Sequence, residues 1–125
     1  MNYSKFYYSD NTILNYHDLK KNLHREDGPA IEHYNGDKFW YKNNLLHRDN
    51  DLPAIEFKSG CKFWYQNGKR HRLNNPAVIF SSGIEIWYND GEQVLPYSIE
   101  EQVLIKANRP SLSKRLKLFL KKVLH

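Results

Sequence analysis

The 125-residue sequence has a single cysteine, Cys61, so no intramolecular disulfide can form and no cysteine-rich zinc site can assemble. It has no apolar run near the ~20 residues that a helix needs to cross a bilayer. Its opening stretch, MNYSKFYYSD, contains no apolar signal-peptide segment. These absences lead to the expectation of a soluble intracellular, cytoplasmic protein. No Gly-rich phosphate loop, Walker motif or nucleophile elbow occurs. Acidic residues are missing from one region altogether. All fourteen lie at or before Glu101, among twelve Lys and Arg, whereas Lys106, Arg109, Lys114, Arg115, Lys117, Lys121 and Lys122 follow with no acid between them. The net charge of +5 therefore divides into a nearly neutral body and a basic tail, and arguments about anionic partners attach to the tail.

What the chain does have is internal repetition, which decides the fold before any local reading. Three copies start at His24, His47 and His71: HREDGPAIEHYNGDKFWYKNNLL, HRDNDLPAIEFKSGCKFWYQNGKR and HRLNNPAVIFSSGIEIWYNDGEQV. Their landmarks recur at 24 and then 23 residues, as in Pro29, Pro53 and Pro76, or Trp40, Trp64 and Trp87. Within each copy a Pro-Ala-led strand is followed by a turn at Asn35-Gly36, Ser59-Gly60 or Ser82-Gly83, where glycine accepts positive φ. A return strand follows (Phe39-Trp40-Tyr41, Phe63-Trp64-Tyr65, Ile86-Trp87-Tyr88). A second turn at Asn43-Asn44, Asn67-Gly68 or Asp90-Gly91 sends the chain on to the next copy. The fold class is thus mainly β, a single-layer antiparallel meander of about three 23–24-residue hairpin repeats. An aromatic content of 14% against a mean hydropathy of −0.80 fits a thin structure held by large rings.

Strand alternation puts Trp on one face and its two neighbours on the other. With two-residue glycine turns, Ile31 faces Trp40, Ile55 faces Trp64 and Val78 faces Trp87. Phe57 and Phe80 then join this Trp face. The opposite face carries Phe39, Tyr41, Phe63, Tyr65 and Tyr88 beside Glu32 and Glu56, and those five aromatics form the candidate binding face. A three-residue turn would exchange the pairings.

The stretch Trp64-Tyr65-Gln66-Asn67-Gly68-Lys69-Arg70-His71-Arg72 resembles the MORN family, whose units run tyrosine, turn glycine, then a His-Gly step. It is similar to the variant MORN-like repeats of "WYxNGxxHRxxGPA" type known from giant DNA viruses, bacteria and phages, over roughly residues 24–94. The resemblance implies a viral, phage or bacterial source, with host cytoplasm as the location if viral. The sequence departs from the pattern where Arg25, Arg48 and Arg72 replace the glycine after His. Lipid binding and dimerisation, attributed to some members of the family, do not follow from the departed motif.

Flanking segments complete the organisation. Residues 1–23 include Phe6-Tyr7-Tyr8-Ser9-Asp10-Asn11, which imitates Phe39-Trp40-Tyr41-Lys42-Asn43-Asn44 and reads as the return strand of a degenerate opening unit. Thr12–Leu23 fits either an amphipathic helix through Ile13, Tyr16, Leu19 and Leu23 or an irregular strand and loop, the latter favoured at its start. Residues 24–95 hold the repeats, and 96–125 form a basic helical segment packed on or capping the sheet. In that segment Ser98-Ile99-Glu100-Glu101 fits a capping box. Leu112, Leu116, Phe119, Leu120 and Val123 keep helical spacing. Lys114, Arg115, Lys117, Lys121 and Lys122 are the candidate contacts to an anionic partner.

No catalytic, cofactor-binding or metal site is expected. Equivalent histidines two strands apart lie ~10 Å from one another, too far to share a zinc whose ligand atoms approach to ~2.1 Å. Each His-Arg step is read as structural, with Arg25, Arg48 and Arg72 bonding turn carbonyls or carboxylates such as Asp27 and Asp49. Cys61 takes the place of Asp37 and Ile84 in the other copies, and nothing in the spacing demands that His33 or His71 activate it. The functional expectation is a non-enzymatic repeat module for protein–protein interaction or scaffolding. Its partner would be a protein gripped by the aromatic face or a sheet edge, including another copy of the chain. The alternative is a peripheral membrane protein tethered to anionic lipid by the basic amphipathic tail. Nucleic acid is the least favoured partner, because the body lacks net positive charge and any nucleic-acid motif.

Overall fold

The structure is a computed structural model and describes residues 3–96. The helices expected within 96–125, their packing on the sheet, and the five basic candidates from Lys114 to Lys122 lie outside the described residues. Strands β1 (Lys5–Tyr7) and β2 (Ile13–Leu14) precede the repeats. The first copy supplies β3 (Ile31–Glu32), β4 (Lys38–Phe39), β5 (Tyr41–Lys42) and β6 (Leu45–Leu46). The second supplies β7 (Ile55–Glu56), β8 (Lys62–Phe63), β9 (Tyr65–Gln66) and β10 (Lys69–Arg70). The third supplies β11 (Val78–Ile79), β12 (Glu85–Asn89) and β13 (Glu92–Val94). Nine strands form one antiparallel meander ordered β13-β12-β11-β8-β7-β4-β3-β1-β2, while β5–β6 and β9–β10 are separate two-stranded hairpins. The chain is mainly β, as its repetition predicts.

The two turns of each copy differ, and the difference sets the register. At the glycine turn, the N–H groups of His33, Phe57 and Phe80 donate to the carbonyls of Asp37, Cys61 and Ile84, while Gly36, Gly60 and Gly83 donate back to the carbonyls of His33, Phe57 and Phe80. Three residues therefore lie between the paired positions, with only the glycine left-handed (φ 102°, 102° and 95°). This is a type I turn closed by a G1 bulge. At the second turn Lys42 pairs with Leu45 across two residues. Both of these are left-handed, Asn43 at 48° and Asn44 at 67°, and Asn67-Gly68 and Asp90-Gly91 repeat the type I′ geometry.

The three-residue turn corrects the face assignment made with two-residue turns. Ile31 pairs with Phe39, Ile55 with Phe63 and Val78 with Ile86, not with Trp40, Trp64 and Trp87. Glu32 and Glu56 accordingly leave the Phe/Tyr face and pair with Lys38 and Lys62 on the other. Phe57 and Phe80 leave the Trp face for the face of Phe39 and Phe63.

Phe6 of β1 pairs with Ile31 as Phe39 pairs with Ile55. The segment after it takes the strand-and-loop form: Ile13–Leu14 pairs back on β1, and Leu23 bridges Tyr8. The core sits at this end, where Phe6, Tyr8, Leu23, Ala30 and Ile31 are buried and Leu14, Phe39 and Tyr41 pack against them. Further along, Ala54, Ile55, Trp64, Ala77 and Val78 continue the buried line. Ala30, Ala54 and Ala77 are each 0% exposed, so every Pro-Ala step sets a small side chain at a fully buried position.

Candidate functional site

On one face the aromatic rings touch in sequence along the sheet. Phe6 meets His33 edge-on at 6.1 Å, His33 meets Phe39 at 5.4 Å, Phe39 meets Phe57 at 5.9 Å, Phe57 meets Phe63 at 5.6 Å and Phe63 meets Phe80 at 5.9 Å. Each contact is T-shaped, the arrangement that sets a positive ring edge against a negative ring face. His17 stacks on Phe6 at 5.4 Å and extends the series toward the N-terminal end. From His33 to Phe80 the rings are half-buried rather than enclosed. Of the candidate binding residues, Phe39 and Phe63 lie within this ladder. Tyr65 and Tyr88 are drawn together by Arg70, whose Nε donates to the Tyr65 hydroxyl and whose NH1 donates to the Tyr88 hydroxyl, both at 3.2 Å. Those hydroxyls hold the Arg70 guanidinium charged still more firmly than usual. Tyr41 packs against the core, where burial raises its phenol above the ordinary value. Sequence reasoning placed Phe57 and Phe80 on the wrong side and left His33 out of the face.

The opposite face is organised by charge. A cross-strand row runs Lys5, Glu32, Lys38, Glu56, Lys62, Ile79 and Glu85, alternating in sign until Ile79. Above it each His-Arg step lays a guanidinium over the aromatic of the preceding unit: Arg25 over Tyr7 at 3.8 Å, Arg48 over Trp40 at 3.7 Å and Arg72 over Trp64 at 3.9 Å. The constant eight-residue step from Trp40 to Arg48 and from Trp64 to Arg72 was the sequence signal for this pairing. NH1 of each arginine also donates to a proline carbonyl, Pro29, Pro53 and Pro76, at 3.1–3.2 Å. Turn carbonyls were thus rightly expected as partners.

The carboxylates vary from copy to copy. Arg25 pairs with Asp27 and Glu32. Arg48 pairs with Glu56 at 3.1 Å rather than with Asp49, which accepts from His47 instead. In the third copy Ile79 occupies the glutamate position. There Arg72 turns to Asp51, giving Nε and NH2 to its two carboxylate oxygens at 2.9 and 3.3 Å. Asp51 belongs to the loop in which the second copy is one residue longer than the others.

The histidines are fixed by their own turns. Nδ1 of His24, His47 and His71 accepts the N–H of Asn43, Asn67 and Asp90 at 3.0–3.1 Å. An Nδ1 that accepts leaves the proton on Nε2. Nε2 faces Glu26 at 2.6 Å in His24 and Asp49 at 2.8 Å in His47. Both ring nitrogens of those two histidines are therefore engaged within their own copies. The His47 bond also holds the Asp49 carboxyl below its ordinary range. Cys61 sits beside the third copy's glycine turn, its Sγ accepting from the Ser81 N–H at 3.4 Å and lying 3.7 Å from the Ser81 hydroxyl. Hydrogen bonds from Ser59 and Ser81 lower its thiol. Among the described residues, neither His33 nor His71 hydrogen-bonds to it. Three or more His, Cys, Asp or Glu side chains do not converge as a metal site among the described residues.

Compared with family models, with curated proteins and with solved structures, the chain finds no match.

Proposed function

We propose that this protein is a non-enzymatic, MORN-like repeat module that binds a protein partner through the aromatic face of its sheet. The observation that carries this reading is the continuous ladder from Phe6 to Phe80, half-buried along most of its length, on a sheet whose other face is occupied by its own ion pairs and stacked arginines. A face of rings with few polar groups gains most when a partner removes it from water, at about 25 cal/mol per Å² of apolar area. The polar chemistry of the molecule points inward: histidines bond turns, arginines bond proline carbonyls, and acids neutralise them. Such an arrangement suits a rigid scaffold better than bond-making chemistry.

The experiment is affinity capture by the full chain and by a Phe57→Lys variant whose fold is verified by circular dichroism. A partner retained by the first and lost with the second supports the reading, and equal retention by both overturns it. A second reading stands on the acid-free sequence from Lys106 onward, which suits a peripheral attachment to anionic lipid. Co-sedimentation with vesicles rich in phosphatidylserine tests it; a full chain that stays in the supernatant at low salt removes it.

A further inference from the structure

The sheet contains three equivalent strand edges, each filled by the leading strand of the next copy. Strand β1 receives β3 (Phe6 opposite Ile31, Lys5 opposite Glu32), β4 receives β7 (Phe39 opposite Ile55, Lys38 opposite Glu56), and β8 receives β11 (Phe63 opposite Val78, Lys62 opposite Ile79). In each case the incoming alanine carbonyl accepts the N–H of the aromatic residue, Tyr7, Trp40 or Trp64, at 2.7–2.8 Å. The fourth equivalent edge is Glu85–Ile86 of β12. It pairs with β11 on one side. On the other side β13 reaches only Trp87 to Asn89. Among the described residues, nothing pairs with Glu85 and Ile86 there, and no guanidinium lies over Trp87.

We propose that this edge accepts an extended segment of a partner protein with the sequence small residue, β-branched residue, arginine. The three filled edges define the first two positions. Their incoming strands bring Ala30, Ala54 and Ala77, all fully buried, followed by Ile31, Ile55 and Val78 against a ring. The third position follows from charge. The filled edges present Lys5, Lys38 and Lys62, and two of the three take a glutamate opposite. The open edge presents Glu85, so a glutamate there would set like charges face to face, whereas a base gains an opposite-charge pair.

None of the chain's own triplets that begin with alanine or serine and continue with a β-branched residue ends in a base: Ala30-Ile31-Glu32, Ala54-Ile55-Glu56 and Ser98-Ile99-Glu100 end in an acid, and Ala77-Val78-Ile79 ends in a neutral residue. Arginine is preferred to lysine because the side chain opposite Glu85 shares a face with Trp87. Within the molecule Arg48 already combines these contacts, stacking on Trp40 while pairing with Glu56. Docking shortens the β12–β13 ladder, releasing the pairing of Trp87 with Val94 so that Trp87 can serve the incoming strand as Trp40 and Trp64 do.

This inference rests on the reading of the chain as a binding module, but it concerns an edge and not the aromatic face. The test titrates the isotope-labelled full chain with a heptapeptide copying Leu52–Lys58, and with its Glu56→Arg and Glu56→Lys versions. The arginine peptide should bind about tenfold more tightly than the parent, with lysine between them and amide shifts centred on Glu85, Ile86, Trp87 and Val94. Glu85→Lys in the full chain should reverse the order, and Trp87→Leu should erase the advantage of arginine over lysine. Equal affinities, shifts elsewhere, or no saturable shift at millimolar peptide would overturn the proposal. Concentration-dependent broadening of the same amides without peptide would do so as well, by assigning the edge to a second copy. Loss of this preference while Phe57-dependent capture persists removes the edge proposal alone, and the opposite pattern removes the aromatic-face reading alone.

Discussion

The two faces of this sheet solve one problem by different means. Neither is covered by a second layer among the described residues, so each has to hold its own side chains in place. The aromatic face does this with rings, where Phe39, Phe57, Phe63 and Phe80 contact one another edge to face and need no partner beyond the next ring. The charged face does it with reach. Arg48 covers Trp40, bonds the Pro53 carbonyl and pairs with Glu56, so one long side chain ties three points of two copies together. The first face leaves its rings half-buried; the second satisfies its own charges. A thin repeat sheet can therefore be stable and still offer one surface.

Substitutions on and between the two faces test this division of labour. The largest effect is expected between the faces, at the shared backbone layer: Ala54→Leu, at a site with no exposure, should cost about 3 kcal/mol in chemical denaturation. A loss under about 0.5 kcal/mol would mean that the rungs do not pack as closely as the buried alanines indicate. Phe63→Ala removes the ring between Phe57 and Phe80 and should cost about 2 kcal/mol, less than for an enclosed core phenylalanine because the ring is half-buried. Arg48→Ala should cost about 1–2 kcal/mol, and Arg48→Lys should recover less than half of that, because a lysine has no planar fork to stack and bond at once. Recovery in full would reduce that contact to simple charge. Lys62→Ala, in the exposed cross-strand row, should cost about 0.5 kcal/mol and less in high salt.

The smallest effect is a pH dependence. Tyr41 is raised by burial above the ordinary 10.0 in the folded state, so the folded chain holds that proton more tightly than the unfolded chain. Its contribution is complete below pH 10 and is lost as pH rises through the raised value. Thermal melts above pH 10 should therefore fall, and fall less in Tyr41→Phe; identical slopes for the two proteins would assign the alkaline loss elsewhere.

The repetition and the antiparallel strand order were legible in the sequence, because matched landmarks and turn dipeptides are local signals. Which residues share a face was not settled, since that depended on one residue of turn length. The signal was nevertheless there. Asn43, Asn67 and Asp90 adopt positive φ in their type I′ turns, but the residues before the other glycines are Asn35, Ser59 and Ser82, none of them left-handed. Serine accepts that conformation less readily than Asn or Asp, which points to a loop with a single left-handed position, filled by glycine. Thr12–Leu23 was ambiguous for another reason. Its apolar spacing fits a helix, and only pairing with distant residues makes Ile13–Leu14 a strand. The arginine–aromatic stacks were missed because the arginines were assigned to turn carbonyls and carboxylates and the tryptophans to the aliphatic residues across the strand; only the eight-residue step joined them.

The one-residue difference in copy length has a further consequence. Arg72 lacks the glutamate that serves Arg25 and Arg48, and the supplementary loop of the preceding copy supplies Asp51 in its place. The copies are consequently not interchangeable modules. Exchanging the second for the first would leave Arg72 without its acid, and trimming the longer loop to match its neighbours would do the same. Any rearrangement of this array by duplication or loss of a unit has to preserve neighbouring pairs, so the heritable element is the junction between copies and not the copy itself.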